Sequence, residues 1–185
     1  MLPRNGGAMK KLLILTTLSI LAFSASAFAF GFGAGAYGGA TFPVVQEDQG
    51  NGTIFGLKGK FGIVPGIVVE PNIGFTNYGD ADFSFGARPG SKVTSFTVDA
   101  LLGSGMGSTG LRMYGILGLG YFSVKRDFDE DANRIGWSTG LGFEIGVMPA
   151  VGIDIRGRMD VVSSEGGGSK KSAAVCGGLN YYFGL

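Results

Sequence analysis

The chain has 185 residues, 36 of them glycine, with one cysteine and no histidine, and its 15 Lys and Arg nearly balance 14 Asp and Glu. That balance excludes the basic surplus of a nucleic-acid binder, and glycines without a G-X-Y period exclude collagen. With Cys176 alone there is no intrachain disulfide, so stability has to come from backbone pairing and packing.

Lys10 and Lys11 precede an apolar run from Leu12 to Phe23, and the small-residue site Ala27-Phe28-Ala29 follows. This three-part pattern predicts a secretory signal peptide over residues 1–29, cleaved after Ala29. The run is shorter than the about 20 apolar residues of a membrane-spanning helix. The opening MLPRNGGA is unlike a signal-peptide start, whereas MKKLLIL from Met9 is like one, so Met9 is an alternative translation start. No cysteine near the cleavage site offers a lipid anchor. Arg4, Lys10 and Lys11 leave with the leader, so 12 basic residues face 14 acids and residues 30–185 carry a net charge of −2. Their length fits one domain.

From residue 30 onward the side chains alternate with period two, as in β-strands, whose successive side chains point to opposite faces. Eight such segments are predicted, each about the 9–11 residues of a tilted membrane-crossing strand or slightly longer. Residues 30–42 set Phe30, Phe32, Ala34 and Ala36 against glycines, and residues 53–63 set Phe55, Leu57, Phe61 and Ile63 against Lys58 and Lys60. Residues 67–77 oppose Ile67, Val69, Ile73 and Phe75 to Glu70, Asn72 and Thr76; residues 93–103 oppose Phe96, Val98, Ala100 and Leu102 to Thr97 and Asp99. In residues 111–124, Leu111, Met113, Leu117, Leu119 and Tyr121 oppose Arg112, Tyr114, Gly118 and Gly120. Residues 135–147 set Ile135, Trp137, Leu141, Phe143, Ile145 and Val147 against Gly136, Ser138, Gly140 and Glu144. Residues 151–162 carry Asp154, Arg156, Arg158 and Asp160 on their polar face, and residues 172–183 turn Cys176 inward beside Gly178.

The connections alternate in length. Val64-Pro65-Gly66 and Met148-Pro149-Ala150 are tight turns, and residues 103–110 (GSGMGSTG) are a longer flexible one. Residues 43–52, 78–92, 125–134 and 163–171 are long, polar links. In outer-membrane barrels short turns are periplasmic and long loops extracellular, which places both ends of the barrel in the periplasm. Phe61 to Asn72 (FGIVPGIVVEPN) also aligns without gaps on Ile145 to Arg156 (IGVMPAVGIDIR), matching Pro65 with Pro149 and Glu70 with Asp154. Two four-strand halves would each expose edges, so one closed barrel is the expected outcome.

Charge placement decides which face meets water. Lys58, Lys60, Arg112, Arg156 and Arg158 share the polar face with Glu70, Asp99, Glu144, Asp154 and Asp160. An Arg or Lys on the lipid face at mid-bilayer costs about 2–4 kcal/mol, so these groups point inward, into an interior that side chains just fill in an eight-strand barrel. Five cations against five anions predict a salt-bridged plug, with glycines making room for the long charged side chains. Phe42, Phe55, Phe75, Phe96, Tyr121 and Trp137 near the loop ends, and Phe30, Phe32, Phe61, Phe143, Tyr181 and Phe183 near the turn ends, fit the two interfacial girdles.

On these features residues 30–185 resemble the small eight-stranded outer-membrane barrels of the OmpA/OmpX type. The end LNYYFGL (Leu179 to Leu185) is similar to the aromatic final strand read by the barrel-assembly machinery in that class, although Gly184 and Leu185 follow Phe183. The resemblance implies an all-β, eight-stranded antiparallel up-and-down transmembrane barrel in the outer membrane of a Gram-negative-type bacterium. It also implies contact with membrane lipid and lipopolysaccharide, and it leaves activity open, because such barrels serve as anchors, adhesins, pores and enzymes.

Enzymes built on these barrels rely on a catalytic histidine as general base, and this chain has none. Asp127, Asp129 and Asp131 begin like a calcium loop, but Ala132 stands where the glycine belongs and Ser138 where the last acid belongs, which excludes an EF-hand. A solvated acidic loop is the expectation, with weak divalent-ion binding as the sharper one. Gly105, Gly107 and Gly110 match a dinucleotide fingerprint, but a strand follows where a helix is needed. Residues 78–92, with Phe83, Phe85 and a basic end, could touch lipopolysaccharide or a partner. The expectation is therefore a monomeric, non-enzymatic barrel without cofactor or metal, acting in envelope structure or surface interaction through its loops. The alternative is a narrow pore for small solutes or ions. With no peptidoglycan-binding domain after Leu185, a wall anchor is not expected.

Overall fold

The structure, a computed structural model, describes residues 31–44, 49–83, 86–88, 90–103, 110–126, 129–164 and 168–183; the expected signal segment and Phe30 lie outside them. The strands are β1 (Phe32–Val44), β2 (Gly52–Val64), β3 (Ile67–Tyr78), β4 (Ala81–Phe83), β5 (Gly86–Arg88), β6 (Lys92–Leu102), β7 (Leu111–Arg126), β8 (Asp129–Met148), β9 (Val151–Ser163) and β10 (Ser169–Phe183). Eight of them close into a barrel in the order β1-β10-β9-β8-β7-β6-β3-β2, every neighbour antiparallel. Closure runs from Phe32 opposite Phe183 to Val44 opposite Lys171, so the sheet keeps no open edge.

Local chemistry sets the turns. Pro65 and Gly66 join β2 to β3, with φ +79° at Gly66, the left-handed position that a type II turn gives to glycine after a proline. The turns are tied to their neighbours around the ring: Gly103 N donates to Gly66 O at 2.7 Å, and Tyr182 N, at the end of β10, donates to Ala150 O at 2.8 Å.

The barrel is apolar outside and charged inside. Leu117, Leu119, Leu141, Val98, Leu57, Val175 and Leu179 are all more than half exposed, a surface that hydrocarbon accepts and water penalises. Aromatic rings pair across strands at both ends of this band: Phe32 meets Phe61 edge-on at 5.6 Å near the turns, and Phe55 stacks on Phe75 at 5.2 Å towards the loops. Phe55 and Phe61 are six residues apart on β2, about 20 Å along the strand.

The sequence reading is corrected at the loop end. Residues 125–134, expected as a loop, mostly continue the β7–β8 ladder, which reaches Arg126 opposite Asp129. Residues 78–92 contain the separate β4–β5 hairpin, and β10 starts at Ser169, shortening the last link. Above the membrane both faces of a ribbon are wet, so a strand there loses the apolar half of its alternation and no longer stands out. Asp129 thus lies in a paired strand, while Asp127, Gly105, Gly107 and Phe85 lie outside the described residues.

Candidate functional site

Strand parity brings all ten expected charged side chains into the barrel interior: Lys58 and Lys60 from β2, Glu70 from β3, Asp99 from β6, Arg112 from β7, Glu144 from β8, and Asp154, Arg156, Arg158 and Asp160 from β9. Backbone register sets acids directly opposite one another, Glu70 against Asp99 and Glu144 against Asp154, an arrangement that destabilises a sheet unless cations intervene.

Here they do. Arg156 spans the lumen, gripping Glu70 with Nη1 at 2.5 Å and Nη2 at 3.1 Å while its Nη2 and Nε donate to Asp154 Oδ2 at 2.5 and 2.9 Å. Lys58 Nζ donates to Asp154 Oδ1 at 2.7 Å, and Lys60 Nζ donates to Glu144 Oε2 at 2.5 Å and lies 3.9 Å from Glu70. Arg112 Nη2 reaches Glu144 Oε1 at 2.6 Å. Nearer the loops, Arg158 donates to Asp99 at 2.8 Å and to Asp160 at 2.7 Å. Asn72 Nδ2 links the two groups, donating to the Glu70 carbonyl at 2.8 Å and to Asp99 at 3.0 Å.

Neutral groups absent from the sequence-based set complete this network. Tyr114 Oη donates to Asp154 at 2.9 Å, Asn180 Nδ2 to Glu144 at 2.9 Å, and the Tyr182 hydroxyl to Glu144. Ser138 Oγ donates to Asp160 at 2.7 Å and accepts from Arg158 Nη2 at 2.8 Å. Parity held the missing signal: Tyr182 and Asn180 alternate with the outward Tyr181, Phe183 and Leu179, so they had to face inward.

Glycine supplies the room. A Cβ on Gly118 would collide with the Asp99 carboxylate, one on Gly152 with Glu144, and one on Gly178 with Asp154. The bonds run between opposite walls, from β2 to β8 and β9 and from β3 and β6 to β9. Towards the loops lies a cavity of about 580 Å³, with Arg158, Asp160 and Tyr37 among its walls.

No protein-family model and no curated protein matches the chain. Solved structures do. Neisserial surface protein A is 15% identical with a TM-score of 0.59, the match covering 82% of this chain and 96% of that one. The N-terminal β-barrel domain of Pseudomonas aeruginosa OprF is 16% identical, TM-score 0.52, over 82% of this chain and 97% of that one. Ail, the attachment invasion locus protein of Yersinia pestis, solved in complex with the heparin analogue sucrose octasulfate, is 16% identical, TM-score 0.50, over 84% and 100%. At such identities the likeness is one of fold, and all three are small eight-stranded outer-membrane barrels.

Proposed function

From a chain with the fold of the small eight-stranded outer-membrane barrels, we propose a non-enzymatic outer-membrane protein whose lumen is a salt-bridged plug and whose working surface is the loop end, in a structural or surface-interaction role. The observation that carries this reading is the set of ten inward charges joined wall to wall at hydrogen-bond distance. A solute path would have to open several of these pairs, and removing one partner of a buried pair costs about 3–5 kcal/mol.

The absence of histidine from the whole sequence supports a non-enzymatic role, since the hydrolases and transferases built on such barrels use one as general base. Ser138, an inward hydroxyl, is already held by Asp160 and Arg158. The outward band meets lipid, with lipopolysaccharide as its neighbour on the loop side. β10 is the strand presented to the assembly machinery, and the closed sheet works as a monomer.

The loop-end cavity favours a second reading, a narrow pore, because it reaches inward as far as Arg158. Single-channel recording of the refolded chain in a planar bilayer separates the two, with the folded fraction checked by the mobility difference between boiled and unboiled samples. A folded, silent barrel is the expected result; stable, salt-dependent openings would overturn the plug.

A further inference from the structure

The loop-end cavity is divided between an apolar wall and a hydrogen-bonding one. Its volume of about 580 Å³ falls within the about 300–1,000 Å³ of pockets that take small organic molecules. Val93, Phe122 and Val124 from β6 and β7 and Val162 from β9 form the apolar wall. Between them β8 contributes Gly136, which pairs with Val162. A Cβ on Gly136 would lie 2.9 Å from the Phe122 ring, so the missing side chain lets that ring lie across the strand. The hydroxyls of Tyr37, Thr76 and Ser172, on β1, β3 and β10, line the other side and can donate or accept.

The cations that border the cavity are already engaged. Arg158, in the floor, donates to Asp160, Asp99, Thr97 and Ser138. At the rim Arg134, Lys170 and Lys171 each have a partner, and Lys171 has the outward parity of its strand. One acceptor is left over. Both hydrogen bonds that Asp160 accepts, from Ser138 and Arg158, end on Oδ1, and Oδ2 takes none from a described residue. The Asp160 side chain lines the cavity and keeps 12% exposure inside the barrel. Ser172 stands opposite Asp160 in the β9–β10 register, which sets its hydroxyl beside that carboxylate.

We propose that this cavity binds a small uncharged amphiphile whose polar end donates a hydrogen bond, an aryl or alkyl alcohol or a primary amide. The polar end meets Asp160 Oδ2 and the Ser172 hydroxyl, and the apolar body lies against the wall from Val93 to Val162. Arg158 holds the charge of Asp160 at 2.7 Å, so the site calls for a donor and not for a counter-ion. The ligand is a free solute, because the cavity lies inside the barrel wall whereas the acyl chains of a bilayer lipid lie outside it. The site rests on the plugged-lumen reading, since a conducting lumen would turn the same cavity into a channel mouth.

The test uses the refolded chain in zwitterionic phosphocholine nanodiscs, titrated with 2-naphthylmethanol, its methyl ether, 2-naphthoate and 2-naphthylmethylammonium while NMR shifts are followed. The alcohol is expected to saturate with shifts at Phe122, Val162 and Ser172, about tenfold tighter than the ether, which keeps the oxygen and loses the donor. The ammonium is expected within about tenfold of the alcohol, and naphthoate, facing a carboxylate, weakest. Asp160→Asn keeps an acceptor for Ser138 and Arg158 and turns an amide NH2 towards the cavity, so the lead of the alcohol over the ether falls to about threefold or less. Val162→Trp, which fills the cavity, abolishes binding of both. The gel shift confirms that each variant is folded; where Asp160→Asn gives no folded band, the wild-type difference and its loss in Val162→Trp decide.

Equal affinity for alcohol and ether overturns the proposal. So does an ammonium more than about tenfold tighter than the alcohol, which would make Asp160 a counter-ion site. Shifts confined to lipid-facing residues such as Leu117 that Val162→Trp leaves untouched would mean partition into the bilayer and overturn it as well. Conductance on the same preparation keeps the two readings apart: no saturable binding in a silent barrel overturns this site alone, whereas openings overturn the plug beneath it.

Discussion

Replacing Asp154 by Ala strips Lys58 of the carboxylate that its ammonium contacts at 2.7 Å, in a pair whose side chains are 0% and 1% exposed. A buried cation left in this way costs about 3–5 kcal/mol. The reverse change is mild. In Lys58→Met, Asp154 keeps two hydrogen bonds from Arg156, at 2.9 and 2.5 Å, and the new side chain is apolar and of similar length, so the loss should stay near 1 kcal/mol or below. Removing both partners leaves Arg156 with its two-point grip on Glu70, so the double variant should be more stable than Asp154→Ala alone. The cycle should then give a coupling of at least about 2 kcal/mol. Urea unfolding of the barrel in phosphocholine vesicles measures all four proteins, read by emission of Trp137, the one tryptophan of the chain, and by the gel shift. Equal losses from Lys58→Met and Asp154→Ala, or additivity within about 0.5 kcal/mol, would refute the assignment of Lys58 as dependent on Asp154.

On the outer face, Leu117→Arg should lower stability by about 2–4 kcal/mol in the same titration, because position 117 faces hydrocarbon in mid-strand; a change near zero would argue against lipid contact there. Gly118→Leu places carbon where the Asp99 carboxylate sits and should abolish the heat-modifiable gel band, while Gly118→Ala should cost about 1–3 kcal/mol. Brominated lipids should quench Trp137 most strongly with bromine high on the acyl chain, as for a ring in the interfacial girdle; strongest quenching from mid-chain bromine would displace that ring from the interface.

Strand parity made the faces legible from the sequence. A residue such as Glu144 between Phe143 and Ile145 can only point away from lipid, and the same reasoning applied to Lys58, Lys60 and Arg156 gives the charged interior. Parity reports direction and says nothing about height or position around the barrel. Which acid Lys60 meets depends on strand tilt and stagger, which emerge on closure; hence the Lys60 to Glu144 bond from β2 to β8 was not readable, nor was Arg156 serving Glu70 and Asp154 together. The extended β7–β8 ribbon escaped because its wet faces carry no apolar stripe. The loop-end cavity escaped because a void depends on how neighbouring strands diverge, and no single strand records that.

The repeated hairpin has a geometric consequence. In the ring, β2–β3 and β8–β9 stand opposite each other, with β1 and β10 between them on one side and β6 and β7 on the other. Lys60 and Glu144 are 84 residues apart, the same offset that carries Pro65 onto Pro149, so they occupy one position in the two copies of the sequence repeat and meet across the lumen. Two identical halves would set lysine against lysine there, or glutamate against glutamate. One step along, the matched acids Glu70 and Asp154 share a single guanidinium because one copy carries Arg156 where the other carries Asn72. The two hairpins neutralise each other because they are unlike, and a chain made of either hairpin twice could not neutralise its own centre.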